Sequence, residues 1–369
     1  MAARIQDAHG RAQRKAPGRG ARSNVSGRYE AERREPFDDG WRDEEPLKPA
    51  SETVVSRDAS RTVIARNTSP DLGFDRSVNP YRGCEHGCSY CYARPTHAWL
   101  GLSPGLDFET RILAKPEAAA LLEKELRKPG YRPKPLALGT NTDPYQPVER
   151  RMGITRAILE VLAAHEHPLT IVTKSALVTR DIDILAPMAE KRLARVAISV
   201  TTLDRRLARA MEPRAAAPGR RMETIAALSS AGIPVSVMVA PVIPGLNDHE
   251  IEAILEEAAR AGAKNAAHVL LRLPLELKTL FREWLEAEVP GRAGRVMSLV
   301  RQTRGGRDYD PDWRARQTGT GPVAELIGAR VQKAVRRLSL DRELPPLDIG
   351  RFHLPPRPGD QLDLFRETA

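Results

Sequence analysis

The chain has 369 residues, 41% of them hydrophobic, which is room for one large α/β domain with appendages. Lys and Arg number 58 against 48 Asp and Glu, a formal net charge of +10 that favours an anionic partner, nucleic acid first. No run of about 18 apolar residues is present, so no membrane span is expected. The N-terminus lacks an apolar signal core, which places the protein in the cytoplasm, and its three cysteines in one short loop exclude a disulfide framework.

Residues 1–50 are rich in Arg, Gly and Ala, with six basic residues against one acid in the first 22, and read as a largely disordered basic extension. Within it, Tyr29, Phe37 and Trp41 mark a stretch that docks on the main domain. Val54, Val55, Val63 and Ile64 predict short strands leading into a core that spans residues 51–275.

That core alternates strand and helix. Strands are predicted over residues 78–82, 135–139, 169–173, 196–201, 234–239 and 268–272. Helices are predicted between them, over 116–128, 154–165, 181–191, 219–230 and 248–261. The strands are apolar and β-branched, as expected for strands buried on both faces. Six successive βα units give a parallel sheet with right-handed crossovers; the pattern itself leaves open whether the sheet curls.

Residues 276–340 form a C-terminal helical region, with helices over 276–288, 292–304 and 322–338 and a Gly/Arg/Asp-rich loop at 305–321. Residues 341–369 form a Pro-rich tail ending in Gln361-Leu362-Asp363-Leu364-Phe365.

The chemistry is announced by Asn79-Pro80-Tyr81-Arg82-Gly83-Cys84-Glu85-His86-Gly87-Cys88-Ser89-Tyr90-Cys91-Tyr92, which holds Cys84, Cys88 and Cys91 in a C-x3-C-x2-C spacing. Three thiolates so close can hold three irons of a [4Fe–4S] cluster and leave the fourth iron without a protein ligand. Gly83 and Gly87 let the backbone bend around an inorganic core. A zinc site of three cysteines completed by His86 is the competing reading, although a histidine between two of the cysteines is awkwardly placed to close a tetrahedron.

This loop resembles the signature of radical S-adenosylmethionine (SAM) enzymes. Residues 60–305 as a whole resemble the branch related to spore photoproduct lyase, through residues 79–92, Thr140–Tyr145, Thr173-Lys174-Ser175 and 239–248. The further run from Arg94 to Glu109 points to an uncharacterised bacterial subfamily. The resemblance implies an α/β fold, a partial (β/α)6 barrel with an N-terminal extension and a C-terminal helical segment. It also implies a [4Fe–4S] cluster and SAM as cofactors, an external electron donor such as flavodoxin or ferredoxin, and hydrogen abstraction by a 5′-deoxyadenosyl radical.

In parallel α/β barrels the chemistry gathers at the C-terminal ends of the strands. Applied strand by strand, the expected cofactor-binding residues are Tyr90, Thr142, Asp143, Lys174, Ser199, Thr201, Arg214 and Val242. Thr142 and Asp143 offer acceptors to SAM's ammonium, while Lys174 and Arg214 are the expected partners of its carboxylate. One departure matters. Spore photoproduct lyase returns a hydrogen atom through a further cysteine just ahead of the Ser/Thr-x-Asp stretch, whereas here Thr140 and Asn141 fill that neighbourhood. Tyr145 and Tyr92 are the candidate catalytic substitutes.

The tail resembles the short peptide by which bacterial polymerases and repair proteins bind the DNA sliding clamp: leucines and a phenylalanine on a flexible segment fill an apolar pocket. With the basic charge, this moves DNA and lesion repair ahead of RNA or a protein or peptide as substrate. A clamp-associated Fe–S binding protein without turnover is the reading from another class.

Overall fold

The computed structural model describes residues 18–30 and 52–356. Phe37, Trp41 and the peptide at 361–365 lie outside the described residues.

Among the described residues, ten strands form two sheets. In chain order they are β1 (Val54–Arg57), β2 (Ile64–Arg66), β3 (Arg76–Val78), β4 (Tyr81–Arg82), β5 (Arg111–Ala114), β6 (Leu136–Leu138), β7 (Leu169–Thr173), β8 (Ala194–Ser199), β9 (Val235–Val242) and β10 (Asn265–Leu270). The large sheet runs β10-β9-β8-β7-β6-β3-β2, parallel except for the antiparallel pair β2–β3. Within this sheet, β3, β6, β7, β8, β9 and β10 lie side by side in chain order. Right-handed crossovers that always step the same way put all the helices on one face, so the sheet must curl around its other face. With β2 and β10 at its two edges, it is a partial (β/α) barrel.

The predicted first strand is two strands. Residues 76–78 pair with β6, whereas Tyr81–Arg82 pair antiparallel with β5 in the small sheet β1-β5-β4. Pro80 lacks the N–H a ladder needs and separates them. The cysteine loop therefore starts from a small platform beside the barrel mouth.

The expectation of strands buried on both faces is corrected. In β7, Leu169 and Ile171 are fully buried against the helices while Thr170 and Val172 are half-buried towards the lumen. β8 and β9 alternate in the same way, and β10 is half-buried along most of its length. At the N-terminal ends of the strands, residues 341–344 border a cavity of about 480 Å³ lined by Thr170, Val172, Arg195 and Ser236. The lumen is thus a lined space rather than a packed core.

Two large apolar cores result among the described residues, besides a small cluster of Cys84, Ala93 and Phe108. The main one lies between sheet and helices and includes Ile327 and Val331 of the helix Pro322–Arg337, which packs against the barrel. The second gathers Cys88, Tyr90, Met211, Leu271, Phe281, Trp284 and Val300 under the cysteine loop. Part of the C-terminal helical region is therefore the floor of the loop. Among the described residues no helix is long and apolar enough to cross a membrane.

Trp284 anchors that floor. It is fully buried, stacks on Phe281 at 5.7 Å between centroids and donates from Nε1 to Ala210 O at 3.0 Å. Trp284→Ala is expected to lose about 3–5 kcal/mol in denaturant unfolding; a loss below about 1 kcal/mol would show that this helix does not support the loop.

Candidate active site

The cysteine loop is held by buried polar contacts more than by apolar packing. Arg94, fully buried, donates from Nε to Cys88 O at 2.9 Å and from Nη1 to Gly105 O at 2.9 Å. Its Nη2 meets Glu109 Oε1 at 2.5 Å, and Glu109 is fully buried too. Glu109 also accepts from Gly20 N at 2.9 Å and Ala21 N at 2.7 Å. Gln146, likewise buried, accepts from Glu85 N at 2.9 Å and donates to Gly83 O at 3.1 Å. The run from Arg94 to Glu109 is thus the brace of the loop.

The N-terminal extension joins this brace. Expected as largely disordered, it is packed in its first described part: Arg19, Gly20 and Ala21 are buried, and Arg19 Nη1 donates to Glu109 O at 2.9 Å. A Cβ on Gly20 would sit 1.6 Å from Gly87 O, so only glycine allows this approach. Gly87 itself has φ +65°, and a Cβ there would meet Glu109 Oε2 at 2.5 Å. Further on, Tyr29 stacks on Trp99 at 4.8 Å.

All three cysteines are free; Cys84 and Cys88 are buried and Cys91 is half-buried. Burial pushes the Cys88 thiol up to about 12, helped by the negative charge of Glu212. Among the described residues no three His, Cys, Asp or Glu side chains converge as they would on one ion. His86 does not complete a tetrahedron but faces Asp143, Nδ1 to Oδ2 at 3.3 Å. A multi-iron cluster asks for something else, one thiolate per iron around a larger body, and this donor set fits it. Ser89 Oγ, between Cys88 and Tyr90, is buried without a protein partner.

Around the thiols the strand ends converge. Tyr90 is buried and its hydroxyl donates to Glu212, which also accepts from Thr201 Oγ1 at 2.6 Å and pairs with the buried Arg221. Lys174 lies over the Tyr90 ring, its Nζ 5.8 Å from the centroid, and its ammonium donates no hydrogen bond to a described residue. Burial raises the Glu212 carboxyl, but the charges of Arg221 and Lys174 outweigh it and hold the group at about 2. Arg221 and Lys174 against Glu212 leave one positive charge over, and it resides on the Lys174 ammonium.

Several expected cofactor contacts are engaged with the framework instead. Asp143 accepts from Thr173 Oγ1 at 2.7 Å, Lys174 N at 2.8 Å and Tyr145 N at 2.9 Å, besides facing His86. Burial opposes its charge, yet His86 and these donors hold it at about 2. Thr142 Oγ1 donates to Tyr81 O at 2.9 Å. Ser199 Oγ donates to Ala240 O at 3.0 Å, and Thr201 Oγ1, whose one hydrogen goes to Glu212, lies 3.1 Å from the same carbonyl. Arg214 pairs with Glu85 at 3.0 Å, bracing the cysteine loop from outside. Val242, at the end of β9, is buried, and its carbonyl accepts from Leu271 N at 2.9 Å.

The two tyrosines part company. Tyr145 is buried in the main core with Arg180 over its ring at 6.0 Å, away from the apolar cluster that holds Cys88. Tyr92 stands at the mouth, 43% exposed, with its hydroxyl on Thr140 O and Arg272 over its ring at 4.8 Å. Sequence reasoning missed Glu212, Arg221, the Arg94–Glu109 pair and Arg272. It also missed Asn247, which ties Thr201 O to Pro241 O at 2.8 and 3.0 Å. Glu212 stands two residues before the expected Arg214, and it is Glu212 that lies nearer the Cys88 thiol.

A three-cysteine loop at the mouth of a partial parallel barrel, with an unpaired cation beside it, defines a radical SAM site. The family model described as "Radical SAM superfamily" matches residues 78–258. An uncharacterised protein of Mycobacterium tuberculosis is 40% identical over 233 residues, 63% of this chain and 68% of that one. An uncharacterised protein of Methanocaldococcus jannaschii is 27% identical over 174 residues, 47% of this chain and 62% of its own length. Among solved structures, one spore photoproduct lyase variant matches with TM-score 0.52 and 15% identity, over 78% of this chain and 80% of that one. Another, with bound AdoMet and dinucleoside spore photoproduct, has TM-score 0.51 and 15% identity over 78% and 79%. The chain belongs to the radical SAM superfamily, and it is an enzyme whose cofactors are a [4Fe–4S] cluster and SAM.

Two outcomes test the brace and the inner charge cluster. Removing residues 1–23 is expected to speed air bleaching of the reconstituted cluster several-fold, followed by absorbance; an unchanged rate would show that the segment does not shield the loop. The Glu212 carboxyl is depressed in the folded state, so it stabilises the fold above about pH 4.5 and loses that effect as pH falls towards 2. The urea midpoint of Glu212→Gln should therefore depend less on pH between about 5 and 3, and parallel profiles would contradict the assignment.

Proposed function

We propose that this enzyme acts on DNA, in lesion repair of the kind its resemblance to spore photoproduct lyase implies. The observation that carries the reading is the division of cations at the mouth. Lys174 lies inside over the buried Tyr90, while Arg272 lies at the rim over the exposed Tyr92. An inner cation suits a carboxylate bound close to the cluster, and a rim cation suits an anionic substrate arriving from outside. The excess of 58 Lys and Arg over 48 Asp and Glu supports the same reading.

With both bound, the cluster and SAM would supply hydrogen abstraction from the substrate. The chain's own residues do the rest. Cys84, Cys88 and Cys91 hold three irons, and Lys174 pairs with the SAM carboxylate. Tyr90, Glu212 and Arg221 fix the wall behind it. A flavodoxin or ferredoxin brings the electron.

With no fourth cysteine in the chain, the hydrogen returned to the product comes from elsewhere. Tyr92 takes that role: its phenol, hydrogen-bonded to Thr140 O in the neighbourhood where the lyase has its additional cysteine, gives its hydrogen atom to the product radical, and the tyrosyl radical left behind is reduced by an electron from the flavodoxin or ferredoxin and a proton from water. Tyr145, buried in the main core, does not. The tail Gln361-Leu362-Asp363-Leu364-Phe365 delivers the enzyme to DNA by binding the sliding clamp.

Reconstituted anaerobically with iron, sulfide and a reductant, the protein should form 5′-deoxyadenosine from SAM, and Cys88→Ala should form none. Deuterium passing from labelled damaged DNA into 5′-deoxyadenosine supports the DNA reading; label arriving from RNA or a peptide instead would overturn it. Tyr92→Phe should still cleave SAM yet release less repaired product. Deletion of residues 361–365 should abolish retention on immobilised clamp, and unchanged retention would remove the clamp from the scheme.

A further inference from the structure

Arg272 stands apart from the other arginines at the barrel mouth. Arg316 holds Asp71 with two contacts of 2.6 Å, Arg282 and Arg301 share Asp308, and Arg304 donates to Ala315 O at 2.6 Å and Leu271 O at 2.8 Å. Arg272 has no ion pair and no hydrogen bond to a described residue, and its Nε is buried without a partner. Its recorded contact is with the face of Tyr92, 4.8 Å from the ring centroid. A guanidinium stacked on an aromatic ring keeps its planar fork free for a bidentate oxyanion.

Position explains why this cation is left open. Leu271 N bonds to Val242 O at 2.9 Å, and the Leu271 side chain enters the apolar floor beneath the cysteines. Successive residues of extended chain face opposite ways, so Arg272 is turned to the mouth. Burial and the charge of Arg272 pull neighbouring Arg304 down to about 10, against the opposing pull of Tyr309 and Asp310. Through its bonds to Leu271 O and Ala315 O, Arg304 holds the loop carrying Trp313 along this edge. Trp313 is 48% exposed and Tyr92 43%.

We propose that Arg272 is a phosphate-binding subsite, holding a backbone phosphodiester of the substrate beside Tyr92. Exposed aromatic faces next to an open guanidinium match a strand whose bases can stack and whose phosphates can be gripped in turn. This rests on the nucleic-acid reading above, whose net charge of +10 favours phosphate over the carboxylates of an acidic peptide.

The test uses the full-length reconstituted protein and a short fluorescein-labelled oligothymidylate, with anisotropy followed across a salt series. Wild type should bind, and Arg272→Gln should bind about tenfold more weakly with a salt slope lower by about one. Arg260→Gln, an exposed change on the helix Ile251–Arg260, should bind as wild type does. The SAM-induced EPR change of Arg272→Gln should match wild type. Equal affinity and slope for wild type and Arg272→Gln would overturn the subsite and leave the nucleic-acid reading standing. No salt-dependent binding by wild type would overturn both. A lost EPR change would reassign Arg272 to SAM, and tighter binding of labelled polyglutamate, sensitive to the same substitution, would reassign it to a peptide; either result ends the proposal.

Discussion

The Arg94–Glu109 ion pair is the constraint on which the cluster loop depends. Both side chains are fully buried, and taking two charges out of water costs several kcal/mol each unless every lone pair and proton is matched. Here they are used fully. The guanidinium reaches one carbonyl in the cysteine loop, Cys88 O, and one in the brace, Gly105 O, and the carboxylate collects two backbone N–H groups from the N-terminal segment. One pair therefore sets the distance between the cysteine loop, the run that follows it and the strand of chain laid over both. Apolar packing, which has no direction, would hold these segments together without fixing where the thiols point.

The same economy governs the charges nearest the thiols. Without a cluster, burial keeps Cys88 protonated far above neutral pH, and Glu212 adds to that resistance. Iron must therefore displace protons as it binds, and the loop pre-arranges thiols rather than thiolates. Glu212 is tolerated so close because Arg221 answers it directly and Lys174 at longer range. The carboxylate orients Tyr90 and Thr201, and the lysine keeps its ammonium available to a ligand.

How much of this the sequence disclosed follows from how local each feature is. The cysteine spacing lies within eight residues, and β7 was predicted at the bounds it has, because both are written in consecutive positions. The polar strand ends were found by the same local rule, but their bonding was not. Asp143 looked like a ligand for ammonium, yet its oxygens meet His86, Thr173 and the Lys174 backbone, partners about thirty or more residues away in both directions. Arg214 looked like a carboxylate binder and found Glu85 across the loop. Arg94 and Glu109 stood inside a stretch recognised as informative, but pairing them needed the turn between them. Pro80 was legible as a break in the first strand and was read through.

Lys174 and Arg272 show how a short motif organises a mouth in three dimensions. Tyr90 and Tyr92 flank Cys91, and because the chain turns here rather than running extended, one ring goes inward and one to the rim. Each ring presents its face to a cation that has no carboxylate of its own among the described residues. The aromatic faces stabilise these cations without quenching them, since a ring quadrupole offers a fraction of what a carboxylate would and leaves the hydrogen-bond donors unoccupied. Two positive sites, each over a ring next to the same cysteine, thus stay distinct, the inner one over a buried ring and the outer one over an exposed ring. A charged cofactor held at the inner cation is thereby kept apart from whatever reaches the outer one. The two tyrosines beside Cys91 provide that separation.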